Sequence, residues 1–138
     1  MGAALDLKLA LETRLAAMSG GLDTAWEGKS FTPTPGTPWQ KAHLMTALTE
    51  AAGPGVDAFN YHQGTFQVSV FYPANDKGAG PAITQADLVA AWFKRGTRLT
   101  HGTTVLVISA AAVGPVLPES VWLQVPVSVQ FYAHSLNP

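Results

Sequence analysis

The chain has 138 residues, of which 47% are apolar and 12% are charged, and its formal net charge is −1. That length and apolar content suffice for one hydrophobic core, so we interpret residues 1–138 as a single globular domain. The sequence contains no cysteine, which excludes disulfides, thiolate metal sites and cysteine nucleophiles. It also lacks a basic stripe, so we expect no sequence-specific binding to nucleic acid.

The charged share is about half that of an average soluble protein. Two interpretations of the resulting uncharged surface stay open: a subunit with large contacts to its neighbours, or a neutral surface rich in Thr, Gln and Ser. Charges are spread through Gly2–Met18, unlike a signal peptide, and no run reaches the roughly 18 apolar residues of a membrane helix. We therefore expect a protein made in the cytoplasm, without a membrane partner.

The first predicted element is a helix over Ala3–Met18, stopped by the glycine pair at 20–21. Its apolar residues recur at three- and four-residue steps and so share one face: Ala4, Leu7, Leu11, Leu15 and Met18. The acids and Lys8 lie mostly off that face. A wide apolar face indicates packing against a sheet or a neighbouring subunit.

A loop follows the first helix. Trp26 and Phe31 are candidate anchors of a short strand, and the three prolines of Thr32–Pro38 then exclude a helix. We predict an extended loop there, which either lies on a neighbouring molecule or simply connects two elements at the surface.

Two strands with intervening turns come next. Trp39–Thr49 is predicted as a strand, although Leu44–Ala52 also has helix propensity. After a turn at Ala51–Asp57, the alternation of apolar and polar residues over Tyr61–Tyr72 gives the clearest strand signal. A flexible turn is predicted over Ala74–Pro81.

The second predicted helix covers Thr84–Arg95, with Thr84 as N-cap and Asp87 completing a capping box. Lys94 and Arg95 suit the negative end of the helix dipole, and Gly96 closes the helix. The predicted buried face consists of Leu88, Val89, Trp92 and Phe93.

Two further strands are predicted over Thr103–Val113 and Trp122–Ala133. Pro126 cannot donate to a ladder, so it predicts an edge or a bulge in the last strand. The order of elements is typical of an α+β fold, with a mostly antiparallel sheet and two helices packed on one face.

No motif proposes catalysis. The histidines show no metal-ligand spacing with each other or with acids: His43, His62, His101 and His134. No carboxyl group is embedded in an apolar run of the kind that raises its pKa for acid–base chemistry. We therefore predict no catalytic residue, no cofactor and no metal, and we interpret the protein as not an enzyme.

Several blocks, taken in order, are similar to the tail-terminator-like proteins of long-tailed phages and prophages, which include minor tail protein U. The resemblance runs from Leu5 to Tyr132 and depends on order, spacing and length. The blocks are Phe31-Thr32-Pro33, Pro38-Trp39, Gly64–Pro73, Phe93–Leu99, Val113-Gly114-Pro115 and Trp122–Val129.

The resemblance implies an α+β subunit that assembles with copies of itself into a ring, a hexamer where the family is best described. Such a ring would sit on the last ring of the tail tube protein at the head-proximal end of the virion tail. It would stop tube growth and present a surface to the head–tail connector protein. It also implies synthesis in the cytoplasm of a bacterial host.

A ring interface needs two different patches on each subunit. Our candidates are the loop from Gly28 to Trp39, the turn from Ala74 to Pro81 and two arginines, with these specific residues: Trp26, Phe31, Pro35, Trp39, Asn75, Asp76, Lys77, Arg95 and Arg98. The arginines also have a plain role as charges at a helix end. Two other functions stay open: a tail-completion or head–tail joining protein, and a small enzyme with a convergent site.

Overall fold

The computed structural model describes residues 2–47, 49–51, 53, 55, 59–75 and 77–136. Its two helices alternate with groups of strands along the chain. The elements are α1 (Ala3–Ala16), β1 (Asp23–Ala25), β2 (Trp39–Thr46), β3 (Glu50–Ala51), β4 (Phe59–Pro73), α2 (Gly80–Trp92), β5 (Arg98–His101), β6 (Thr104–Val113), β7 (Leu117–Pro118) and β8 (Trp122–Leu136).

The strands form one sheet in the order β1-β2-β4-β8-β6-β5, with β3 attached to β4 and β7 attached to β8. Its centre is the antiparallel pair of β4 and β8, each 15 residues long, which runs from Phe59 opposite Leu136 to Pro73 opposite Trp122. Among the strands of the described residues, only the three-residue β1 is parallel to its neighbour. The predicted α+β fold with a mostly antiparallel sheet is confirmed.

Both helices cover the same face of the sheet. Because side chains alternate along a strand, residues with the parity of Val68 in β4 and Val127 in β8 share that face. They are fully buried against Leu11 of α1 and Val89 of α2. Neither of the two helices in the described part of the chain covers the opposite face, which we call the open face. Its central residues are mainly Gln, Ser and Thr.

The helices begin and end at different residues than predicted. α1 ends at Ala16 instead of Met18, and Gly20 then takes a left-handed φ of 73°. α2 begins at Gly80 instead of Thr84, with proline in its first turn, and ends before Lys94 and Arg95. Thr84 is therefore not the N-cap, and its hydroxyl donates to the Gly80 carbonyl at 2.9 Å. In the described part of the chain, neither helix is long and apolar enough to cross a membrane.

The strand predictions differ from the structure mainly at the ends. β2 ends at Thr46, which settles the ambiguity of Leu44–Ala52 in favour of a strand up to that residue. Trp26 follows β1 and Phe31 lies in the next loop, so neither is a strand residue. The turn predicted at Ala51–Asp57 lies largely outside the described residues. The short strand β5 was not predicted.

Pro126 lies in the interior strand β8 rather than at an edge, but the ladder beside it is interrupted. Its carbonyl accepts the Gly114 N–H at 2.7 Å, so its missing N–H faces the same side. On that side β6 ends at Val113 and β7 begins only at Leu117. Pro126 thus faces the interruption between the end of β6 and the start of β7, where no neighbouring strand needs an N–H from β8. The bulge in the described sheet lies instead in β6, between Ile108 and Ala110.

Both edges of the sheet are short. β1 has three residues and β5 has four. Beyond β1, one Glu27 carboxylate oxygen accepts the Leu44 N–H at 3.2 Å, and the other lies 3.2 Å from Nδ1 of His43. Short edge strands, and at β2 a side chain that accepts a backbone N–H, both reduce the free backbone available for pairing with another chain.

Candidate functional site

An aromatic stack lies on the open face where β2, β4 and β8 meet. Trp39 begins β2 opposite Phe71 of β4, and their rings are parallel with centroids 4.1 Å apart. Phe31 stacks at 5.3 Å from the Trp39 ring, and Trp122 meets its edge at 6.1 Å. Each such pair contributes about 0.5–1.5 kcal/mol beyond its buried area, so the stack anchors the loop before β2 to the sheet.

A cavity of about 410 Å³ opens beside this stack. We call it the proline pocket, and it is lined by Pro33, Pro35, Gly36, Val121 and Trp122. Its far wall is held by backbone hydrogen bonds, one from Ala74 N–H to the Val121 carbonyl at 3.0 Å and one from Glu119 N–H to the Trp122 carbonyl at 2.8 Å. These hydrogen bonds fix the position of one pocket wall, and the walls are mostly apolar.

The structure brings together several residues that we proposed from the sequence as interface residues. Phe31, Pro35 and Trp39 meet at the stack and the proline pocket. The turn with Asn75 and Lys77 starts directly after Ala74, which is bonded to the pocket wall, and the Asn75 side chain accepts the Lys77 N–H at 3.0 Å. Asp76 lies outside the described residues.

The other candidates lie apart from the pocket. Trp26 is half-buried and packs against the main core. Arg95 and Arg98 are exposed beyond the end of α2, together with Lys94. Arg95 donates through Nε to the Ser109 carbonyl at the β6 bulge, at 3.2 Å. In the described part of the chain no carboxylate pairs with these three cations, so they form a small basic patch.

A surface that sequence reasoning missed lies on α2. Its buried residues include Ala82 and Val89, whereas Leu88, predicted to be buried, is 52% exposed and Ile83 is 39% exposed. Helical spacing places the outward residues on one stripe, which we call the outer α2 stripe: Ile83, Thr84, Asp87, Leu88 and Ala91. A helix that is apolar on both sides usually has a partner on both. Periodicity could not identify this stripe, because apolar residues surround the helix.

A polar cluster lies at the other end of the sheet, under the start of α1. The Asp6 carboxylate is 2% exposed, and it accepts hydrogen bonds from His101 at 3.0 Å and from the Thr104 hydroxyl at 3.2 Å. Its partners are more than 90 residues away in sequence, so no local pattern indicates this contact. The cluster ties α1 to β5 and β6.

His62 forms the second half of this cluster. Its Nε2 lies 2.7 Å from the Ser135 hydroxyl, and its Nδ1 lies 3.2 Å from the Thr49 hydroxyl. Ser135 is 2% exposed, and a threonine rather than a carboxylate orients the imidazole. His62 and Ser135 therefore form a buried hydrogen bond that stabilises the fold. Among the described residues no group of three or more His, Asp or Glu side chains is arranged to hold a metal ion.

We expect His62 to make the chain less stable in mild acid. Burial, and secondly the nearby charge of His134, lower the pKa of His62 below 6.5. Below that pH the unfolded chain binds a proton at this position that the folded chain does not bind. As the pH decreases through this range, the free energy of unfolding should therefore decrease. The slope of that decrease should correspond to the uptake of at most one proton on unfolding. Thermal unfolding from about pH 7.5 to about pH 5.5 measures this slope.

The variant His62→Gln should lose this part of the slope. His134→Gln should reduce it, because removing that charge brings the pKa of His62 closer to its ordinary value. Equal slopes for the wild type and His62→Gln would contradict the assignment.

Comparison with known proteins identifies a matching family model and a solved structure with a similar fold. A family model described as phage tail terminator protein matches residues 6–131. No curated protein matches the sequence. A solved structure, of a protein named only by a sequence identifier, is 27% identical with a TM-score of 0.75, and the match covers 100% of this chain and 99% of that one. The chain therefore belongs to the phage tail terminator protein family, as a structural component of the virion tail.

Proposed function

We propose that this protein terminates the phage tail by forming a ring, a hexamer, on the last ring of the tail tube protein. The ring stops growth of the tube, and its other side forms the surface that joins the head–tail connector protein. The observation that carries this proposal is the family match over residues 6–131. The protein then resides at the head-proximal end of the virion tail, after synthesis in the cytoplasm of the bacterial host.

The geometry of the subunit supports a ring. Head-to-tail assembly requires two different patches that face in different directions on each copy. The outer α2 stripe lies on the helix-covered side of the sheet, and the proline pocket lies on the open face. Both patches carry exposed apolar side chains, Ile83 and Leu88 in the stripe and Val121 at the pocket, which is typical of surfaces that associate.

The proposed function involves no catalysis, cofactor or metal. The most buried titratable side chains, Asp6 and His62, are engaged in hydrogen bonds that tie the start of α1 and the ends of the strands together. Their role in this proposal is to hold the fold.

We expect the purified chain to stop the growth of tail tubes. In the test, tube protein polymerises in the presence of increasing amounts of the chain, and electron microscopy measures tube length and the ends. Caps at one end only, with tubes that shorten as the chain is added, are the expected result. Tubes of unchanged length without caps would overturn the proposal, and binding to the connector protein alone would identify a head–tail joining protein instead.

A further inference from the structure

The inward-facing side chains at one end of the sheet are polar. Because alternate residues of a strand share a face, His62 in β4, Ser135 in β8 and Thr104 in β6 lie on the same face as the apolar core. All three are buried, and Asp6 of α1 is buried beside them. We call these four residues the polar end. Further along the same strands the inward residues are apolar, for example Phe66.

A cavity lies inside the polar end. Its volume is about 230 Å³, and it separates the first turn of α1 from the ends of the strands, with all four residues of the polar end in its walls. This volume has room for several water molecules. No side chain among the described residues caps the start of α1. A region with a polar hollow in place of apolar packing opens locally at a lower free energy than the core.

Hydrogen bonds hold the polar end closed. His62 joins β4 to β8 through its Nε2 atom, 2.7 Å from the Ser135 hydroxyl, and its Nδ1 lies 3.2 Å from the Thr49 hydroxyl. Asp6 joins α1 to β6, because its carboxylate accepts the Thr104 hydroxyl at 3.2 Å. Both ring nitrogens of His62 thus contact hydroxyl groups, which carry no charge that would balance an imidazolium ion.

Titratable groups on the neighbouring elements act on His62 in different ways. Burial, and secondly the charge of His134 in β8, lower the pKa of His62. Asp6 faces the same cavity from α1, but its carboxylate is bonded to His101 of β5 and to a threonine, not to His62. Glu50 of β3 is exposed to solvent. The closed arrangement therefore does not supply a carboxylate contact for a protonated His62.

We propose that the polar end is an acid-sensitive unit, which opens locally at the first turn of α1 and the adjoining ends of β4, β6 and β8 when His62 takes up a proton. In the open form water surrounds the imidazolium ion, while the apolar core between the helices and the centre of the sheet stays packed. The inference goes beyond the proposed function and does not depend on it, since every contact lies within one subunit.

The size of the effect follows from proton linkage. In the open form His62 titrates with its ordinary pKa of 6.5, whereas the closed form binds the proton more weakly. The open form thus binds more protons as the pH falls, and acid favours opening. Between about pH 7.5 and about pH 5.5 the ratio of open to closed molecules can rise by at most about tenfold.

Native-state hydrogen exchange of the full chain measures this opening. Amides of residues 59–63 and 132–136 report on the polar end, and those of residues 66–71 and 124–129 report on the centre of the same two strands. After correction for intrinsic exchange rates, the end amides should exchange faster than the central ones at both pH values. Their opening should increase about three- to tenfold from pH 7.5 to pH 5.5. It should depend only weakly on low urea concentrations, because local opening exposes little surface.

Three variants identify the group that takes up the proton. His62→Gln keeps a side chain that can bond with Ser135 but does not titrate, so the increase should disappear. His134→Gln changes an exposed residue and should reduce the increase, because the pKa of His62 then returns towards its ordinary value. His43→Gln changes an exposed histidine of β2 and is the matched control, which should keep the full increase.

Two kinds of result would overturn the proposal. Equal exchange of the end and central amides, with the same dependence on urea, would mean that the polar end opens only when the whole chain unfolds. An increase that persists in His62→Gln, or that is absent from the wild type, would exclude His62 as the group that drives opening. If circular dichroism shows that His62→Gln is unfolded, an unchanged increase in His134→Gln rejects the role of His62.

Discussion

Replacing Phe93 with alanine is expected to lower the free energy of unfolding by about 3–5 kcal/mol. Its side chain is fully buried directly after α2, and its ring lies 5.8 Å from the ring of Phe66 in β4. Removing it leaves a cavity between the helix layer and the middle of the sheet. Urea unfolding, monitored by tryptophan fluorescence, measures the loss. We also expect the variant to be expressed at a level far below that of the wild type.

Leu88→Ala is the matched control for that variant. Leu88 lies in α2, which Phe93 directly follows, and it was predicted from sequence to share the buried face of Phe93, but it is half-exposed. We expect a change of no more than about 0.5 kcal/mol in the free energy of unfolding. Similar losses for both variants would mean that α2 is rotated relative to the position described above.

The variant Gly64→Ala is expected to lower the free energy of unfolding by at least about 2 kcal/mol, because it forces two strands apart. A methyl group at this position in β4 would lie 2.5 Å from the carbonyl oxygen of Met45 and 3.0 Å from the ring of Phe131. The first contact is with the backbone of the neighbouring strand β2, which cannot move without loss of ladder hydrogen bonds. Chemical denaturation and amide exchange of β2 report the effect.

Gly80→Ala provides the comparison for Gly64→Ala, since the same methyl group meets no atom within 4 Å there. Gly80 begins α2, where alanine favours the helix, so we expect unchanged or slightly higher stability. Wild-type stability of Gly64→Ala would contradict the described register of β2 and β4.

The central strands could be predicted from sequence because one face of the sheet is buried. Alternation then determines which residues point inward, and Val68, Val70, Val127 and Val129 are all fully buried. The sequence prediction began α2 at Thr84, four residues beyond its actual start, because the first residues of the helix are Gly80 and Pro81. Both are common in turns, and the residue directly before them is Ala79, which is not a residue type that indicates an N-cap.

The candidate interface could be predicted only in part. The loop with Phe31, Pro35 and Trp39 is visible in sequence, since prolines between aromatic residues cannot form a helix. Val121 and Trp122 complete the pocket from about 85 residues further along the chain, and only the pairing of β2, β4 and β8 brings them there. The stripe was missed because its leucine and isoleucine belong to a helix with apolar residues on every side.

The short, occupied edges of the sheet have a consequence for the supply of subunits. At high subunit concentration, an unpaired strand edge is a template for pairing with another chain and for fibre formation. Here the side chain of Glu27 accepts the Leu44 N–H, and the edge strands β1 and β5 have three and four residues. We therefore expect free subunits not to add strand to strand at β1 or β5, so that their association depends on side-chain contacts at the surface, which can dissociate and form again.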